Sequence, residues 1–300
     1  MKKEIMALVR GFEHGDVTDE PIGNGVSAIK VRQEDLEQIV RQNPQHVDTW
    51  TLSHGGLTHA IINRYQSDTK SDEEAEQEIV RAFLALRIIK PTSLALHTVV
   101  EAVENAGESV FSLANRIGMY SMTYVSEDQL NAHITRSDIQ RARPLWPNIQ
   151  RVFQNWRAHE RIVRAARFFE IAFANYNGEV RHILFHTALE CLLCTYSDYL
   201  GQQIRVRAKA ILPQINQAQL RDIGRLRGGF VHSGAIISSL RPQVDQLMST
   251  LERTVRACLY HIFADWESVE VFSDESKIRQ LYPVEVEEME RKPTGKKILI

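Results

Sequence analysis

The sequence predicts an α+β N-terminal domain followed by an all-α antiparallel helical bundle, on three observations. Short extended and helical signals alternate up to residue 143, Pro144 and Pro147 then punctuate the chain, and beyond them the apolar spacing stays helical to about residue 266. The expected division is 1–143 for a sensing or regulatory α+β domain, 144–268 for the bundle and 269–300 for a charged C-terminal tail. A chain of 300 residues with 43% hydrophobic content can bury two modest cores.

Taken in order, residues 24–31 (NGVSAIKV) and 116–125 (RIGMYSMTYV) read as extended and 33–42 (QEDLEQIVRQ) as helical. The stretch 53–59, with His54 and His59 around a Gly pair, reads as a turn and helix cap. Residues 71–91 open on an acidic capping turn, place Ile79, Phe83, Leu86 and Ile89 at helical spacing, and stop before Pro91.

In the bundle, a first long helix is expected over 149–176 and a second over 179–200, separated by the turn Tyr176-Asn177-Gly178. The second carries Ile183, Leu184, Thr187, Ala188, Cys191 and Cys194 on one face. A third over 203–212 ends at Pro213, a fourth spans 217–231, and a fifth runs from Ser239 to Trp266. Its stripe of Val244, Leu247, Leu251, Val255, Cys258, Ile262 and Trp266 is best buried in an antiparallel bundle. The last 30 residues, rich in Glu and then Lys, read as a tail.

The net charge of −2 conceals an asymmetry. Residues 146–266 hold 15 Lys and Arg against 9 Asp and Glu, a local charge of +6 that leaves −8 for the remainder. All but one of those cations is Arg, suited to bidentate phosphate contact, and the acidic remainder suits a regulatory contact with a basic cleft. No run of about 18 apolar residues occurs, so no membrane partner is expected. The start lacks the flanks of a secretory signal, and three cysteines are too few for a disulfide framework, so the chain is expected in the cytoplasm with Cys191, Cys194 and Cys258 as thiols.

Nucleotide-loop, nucleophile-elbow and kinase motifs are all missing, which removes the usual footholds for those chemistries. The lone Cys191-x-x-Cys194 lacks a second ligand pair for zinc and reads as core packing. His182 and His186, four apart with Glu190 one turn on, could point two imidazoles at a metal, but satisfied helix histidines are the preferred reading and no cofactor is expected.

That leaves RLRGGFVHSG, residues 225–234. An imidazole can move a proton near neutral pH and a guanidinium can hold a phosphate oxygen, so His232 and Arg227 suit cleavage of RNA, where the 2′-hydroxyl supplies the nucleophile. Five residues along a regular helix turn a side chain by about 140°, so the two would not point at one spot. Either Gly228-Gly229 loosens the helix, or two protomers pair so that Arg and His meet across a two-fold axis. The bland alternative has Arg227 holding a carboxylate such as Glu190 and His232 capping a helix end.

The ordered blocks ILFHTALECLL (183–193), IRVRAKAIL (204–212) and LRGGFVHSG (226–234) resemble the HEPN superfamily, specifically its Apea-like branch associated with phage defence, over residues 146–266. That resemblance implies a HEPN-like helical bundle that forms a homodimer and cleaves RNA without metal, with Arg227 and His232 as the catalytic pair. It further implies Glu190 in support and a cyclic phosphate product; Ser233, which completes the turn, is a second supporting candidate, and the N-terminal domain is expected to sense a protein trigger. Arg205, Arg207, Lys209 and Arg225 are the expected RNA contacts. The sequence departs from the pattern at Gly228, where active relatives carry a polar side chain, and some relatives are inactive dimerisation or protein-interaction modules, which is the alternative reading.

Overall fold

The computed structural model describes residues 2–13, 15–43, 58–91, 94–105, 108–113, 132–234, 236 and 238–284. It is an α+β structure built on a six-stranded antiparallel sheet of order β2-β3-β4-β1-β5-β6. The strands are β1 (Lys2–Arg10), β2 (Asp19–Gly23), β3 (Val26–Lys30), β4 (His59–Gln66), β5 (Ala95–Asn105) and β6 (Glu108–Leu113). Strand β1, which the sequence reading left unassigned, lies near the centre. Its apolar run has no polar alternation because both faces are covered: Ile5, Ala7 and Val9 enter the main core, while Met6 and Leu8 enter a smaller one with Leu36 and Ile39.

Those last two come from α1 (Gln33–Gln42), which starts and stops where its periodicity places it. The expected extended stretch at 24–31 is β3, whereas 116–125 lies outside the described residues. His59 is not part of a helix cap: it opens β4, buried, with Nε2 3.0 Å from the Val17 carbonyl oxygen.

On the other face of the sheet lies α2 (Asp72–Ile89), closed at its start by a reciprocal cap between Ser71 and Glu74. All four expected apolar positions are buried, but so are Leu84, Ala85, Arg87 and Ile88, because α2 is packed on the sheet side and on the helical side. Arg87 donates to Glu170 at 2.6 Å and to the Leu94 carbonyl at 3.1 Å, and its guanidinium lies over the Phe173 ring at 5.0 Å.

Helix α3 (Arg136–Ala142), a 3-10 turn (Arg143–Leu145) and α4 (Trp146–Gln154) follow without an intervening loop, and Pro144 and Pro147 each sit in the first turn of a new segment. The long helix expected over 149–176 is broken between α4 and α5 (Glu160–Phe173). At the break His159 turns inward, its Nδ1 2.7 Å from Ser273 Oγ and its ring edge-on to Trp266.

The remaining helices are α6 (Gly178–Leu193), α7 (Leu200–Ile211), α8 (Gln217–Ser233), α9 (Val244–Ala264), α10 (Trp266–Ser273) and α11 (Glu275–Leu281). Helix α9 buries Leu247, Leu251, Val255, Cys258 and Ile262 as its stripe requires. Helix α6 does not: its most buried residues include His182, Phe185, His186, Leu189 and Leu192, while Ile183, Leu184 and Cys191 are only partly covered. Cys194 caps the end of α6, and Val269, Val271, Phe272 and Ile278 dock residues 269–281 where a tail was expected. One apolar cluster runs from Ile5 to Ile278, joining sheet and helices.

The junction is tight at Gly23, where an added Cβ would come within 2.3 Å of the Trp146 indole atoms Nε1, Cδ1 and Cε2. Trp146 is 5% exposed and cannot swing into solvent without opening the core. Gly23→Ala is therefore expected to cost about 1–3 kcal/mol by overpacking, read as a lowered urea midpoint. An unchanged midpoint would mean that the indole has room to move.

Candidate functional site

Arg227 and His232 both lie on α8, and their surroundings decide what each can do. The helix continues through Gly228 and Gly229 to Ser233 and closes at Gly234 in a left-handed cap with φ 60°. The glycine pair does not loosen the helix, so the first route to convergence within one chain is not taken. Arg227 faces α6, and its Nη2 lies 3.1 Å from Glu190 Oε1 and 3.3 Å from Oε2. His232 is exposed on the last turn of α8. With a separation of five positions on a regular helix, the two directions differ by about 140°.

The Glu190 partner anticipated from sequence is thus in place, and a third group joins it. His186, one turn earlier on α6, has Nδ1 3.2 Å from Glu190 Oε1. Burial alone would raise the Glu190 pKa, but the bond and charge from His186 and the Arg227 guanidinium outweigh it and hold the carboxyl below its usual value. Glu190 therefore stays ionised and fixes Arg227. The sequence reading preferred satisfied helix histidines to a metal pair at His182 and His186, and the four-residue spacing of His186 to Glu190 was the signal for this contact.

His182 is no ligand for a metal. Its Nε2 is 3.0 Å from the Ile223 carbonyl oxygen and its Nδ1 3.2 Å from Met248 Sδ, so both ring nitrogens are committed. Among the described residues no group of three or more His, Cys, Asp or Glu is placed to hold a metal ion. The three cysteines are free, and burial pushes the Cys194 and Cys258 thiols up to about 12, which fits packing roles.

The expected RNA contacts divide. Arg207 is fully buried and is a correction to that expectation: it donates to the carbonyls of Leu193 and Tyr282 and to Gln203 Oε1, tying three segments together. Lys209 closes the α7–α8 connection by donating to the Pro213 and Ile215 carbonyls. Arg225 is exposed and paired with Asp222 at 3.0 Å. Arg205 is half-buried; desolvation and then the nearby Arg221 charge depress its pKa, so two cations sit side by side there. Ser233 ends α8, and its side chain lies outside the described residues.

Gly224 and Gly228 share a face of α8 one turn apart, and nothing lies within 4 Å of a Cβ built on either. The position after Arg227 is therefore open space rather than a packed contact. Among the described residues no helix is long and apolar enough to cross a membrane.

His182 carries a pH consequence. Burial lowers its pKa from the usual 6.5 to about 4, so between those values the unfolded chain binds a proton that the folded chain does not. Stability is expected to be full above pH 6.5 and to fall as pH drops toward 4, by up to about 3 kcal/mol. His182→Gln should flatten that fall in urea midpoints measured across the window; an identical pH profile in the variant would contradict it.

Comparison with protein-family models, curated proteins and solved structures finds no match for the chain.

Proposed function

We propose that the chain is a metal-independent endoribonuclease or RNA-binding effector of the HEPN type, acting in antiviral defence as a homodimer. One observation supports this reading above the rest: α8 holds Arg227 rigidly through Glu190 and presents His232 to solvent on a different side of an unbroken helix. A site that uses both groups then takes them from two copies.

In such a cleft the 2′-oxygen attacks the adjacent phosphorus and the P–O5′ bond breaks, leaving a cyclic phosphate and a 5′-hydroxyl. One His232 accepts the 2′-hydroxyl proton and the other supplies a proton to the departing 5′-oxygen. Arg227 stabilises the charge developing on the phosphoryl oxygens. The N-terminal sheet region is the candidate for receiving a protein trigger.

A second reading, a non-catalytic dimerisation or interaction module, is favoured by the Glu190–Arg227 pair, which already neutralises the guanidinium, and by the empty position at Gly228.

The test is cleavage of single-stranded RNA in excess chelator by wild type, Arg227→Ala and His232→Ala. Each substitution is expected to cost about 100-fold or more. An equimolar mixture of the two variants should regain part of the activity, because a mixed dimer restores one Arg and one His to a shared cleft while water takes the place of the second His. Cleavage abolished by chelator, or surviving both substitutions, overturns the nuclease reading. A strictly monomeric chain removes the composite site, and a dimer that binds RNA without cleaving it supports the second reading.

A further inference from the structure

A cleft away from α8 combines features that suit an unpaired base. It has a volume of about 190 Å³ and lies between α2, α4 and α5, with apolar walls from Val80, Leu84, Phe153 and Ala166. A dry cavity of about 150 Å³ accepts one benzene ring, so this cleft has room for a single aromatic ring. Its charged lining is Arg81, Arg167 and Glu170. Glu170 is 7% exposed and accepts from Arg87 at Oε2, which leaves Oε1 without a hydrogen-bond partner among the described residues.

Helices α4 and α5 and the turn between them carry basic and aromatic side chains. Arg167 and Arg164 are exposed on α5, and Arg164 pairs with Glu160 at 3.6 Å, both side chains more than half exposed. Arg81 packs over the Phe153 ring at 5.6 Å and donates to Gln150. Three residues beyond Phe153, in the turn after α4, Trp156 is 46% exposed with the Arg157 guanidinium 5.4 Å from its ring. Exposed Ile171 continues the surface one turn past Arg167. Guanidinium groups beside an exposed indole and an apolar slot are the elements with which proteins hold single strands: charge for the phosphates, flat faces for the bases.

We propose that this face of α5 binds single-stranded RNA, with one unstacked base in the Val80–Phe153 cleft, the flanking phosphates on Arg164 and Arg167, and a further base on Trp156. The proposal rests on the RNA reading above and assigns it a substrate-holding surface separate from Arg227 and His232. Duplex RNA keeps its bases stacked and paired, so it cannot fill the cleft.

The experiment measures binding with the reaction removed. A fluorescein-labelled single-stranded 2′-O-methyl oligonucleotide lacks the nucleophile, and its anisotropy is followed with wild type and variants, alone and annealed to its complement. Val80→Trp, which fills the cleft from a half-exposed position, and Arg164→Glu/Arg167→Glu, which reverses surface charge, should each weaken single-strand binding by about tenfold or more. Trp156→Ala should weaken it by about fivefold or more. Thermal midpoints of the charge-reversal variant and Trp156→Ala should match wild type, since both alter exposed residues. Unchanged affinity in Val80→Trp and in the charge-reversal variant overturns the proposal, as does equal affinity for the duplex. Loss of cleavage by wild type with this binding pattern intact overturns only the nuclease reading.

Discussion

The structure depends on α2 being buried along two sides at once. Over residues 82–89 the helix has no solvent face on which to place a long polar side chain, yet Arg87 sits there at 2% exposure. What makes this tolerable is a set of fixed partners: the Glu170 carboxylate, the Leu94 carbonyl and the Phe173 ring. A buried ion pair of this kind adds little net stability, because desolvation offsets attraction, but it penalises every arrangement in which the partners separate. It therefore sets where α5 sits relative to the sheet, and with α5 the helix α6 packed along it.

How much of this was legible in the sequence follows from which faces a partner covers. Helix α1 was readable because it buries one side only, and α9 because its large apolar residues follow one stripe although Glu252, Thr254 and Arg256 are buried beside it. Strand β1 escaped notice because a strand covered on both faces loses its alternation, and a short apolar run carries no period of its own. Helix α6 misled for the related reason that a central helix is apolar nearly all round; the stripe through Ile183 and Cys191 was real but not the most buried one. The break at residues 155–159 was invisible, since it depends on Ser273 and Trp266, more than a hundred residues away.

At the candidate site, the contact between Glu190 and Arg227 was legible because both residues fall in helices whose order was read correctly. The fate of Arg207 was not. Nothing in its spacing distinguishes it from Arg205 two positions earlier, and only the packing of residues 193, 203 and 282 around it turns a surface cation into an internal brace. The cleft beside Arg167 was equally hidden, because its walls come from three helices far apart in the chain.

Gly228 can be viewed from the standpoint of adaptation. A glycine inside a helix costs about 1 kcal/mol relative to alanine, and here nothing among the described residues lies within 4 Å of where a Cβ would sit. Packing within the chain therefore sets no barrier to exchanging it. A single codon position separates the present helix from one with an additional polar group beside Arg227, and that step gains helix propensity as it is taken. The scaffold thus leaves the chemical character of this surface open to selection without first demanding a compensating change elsewhere.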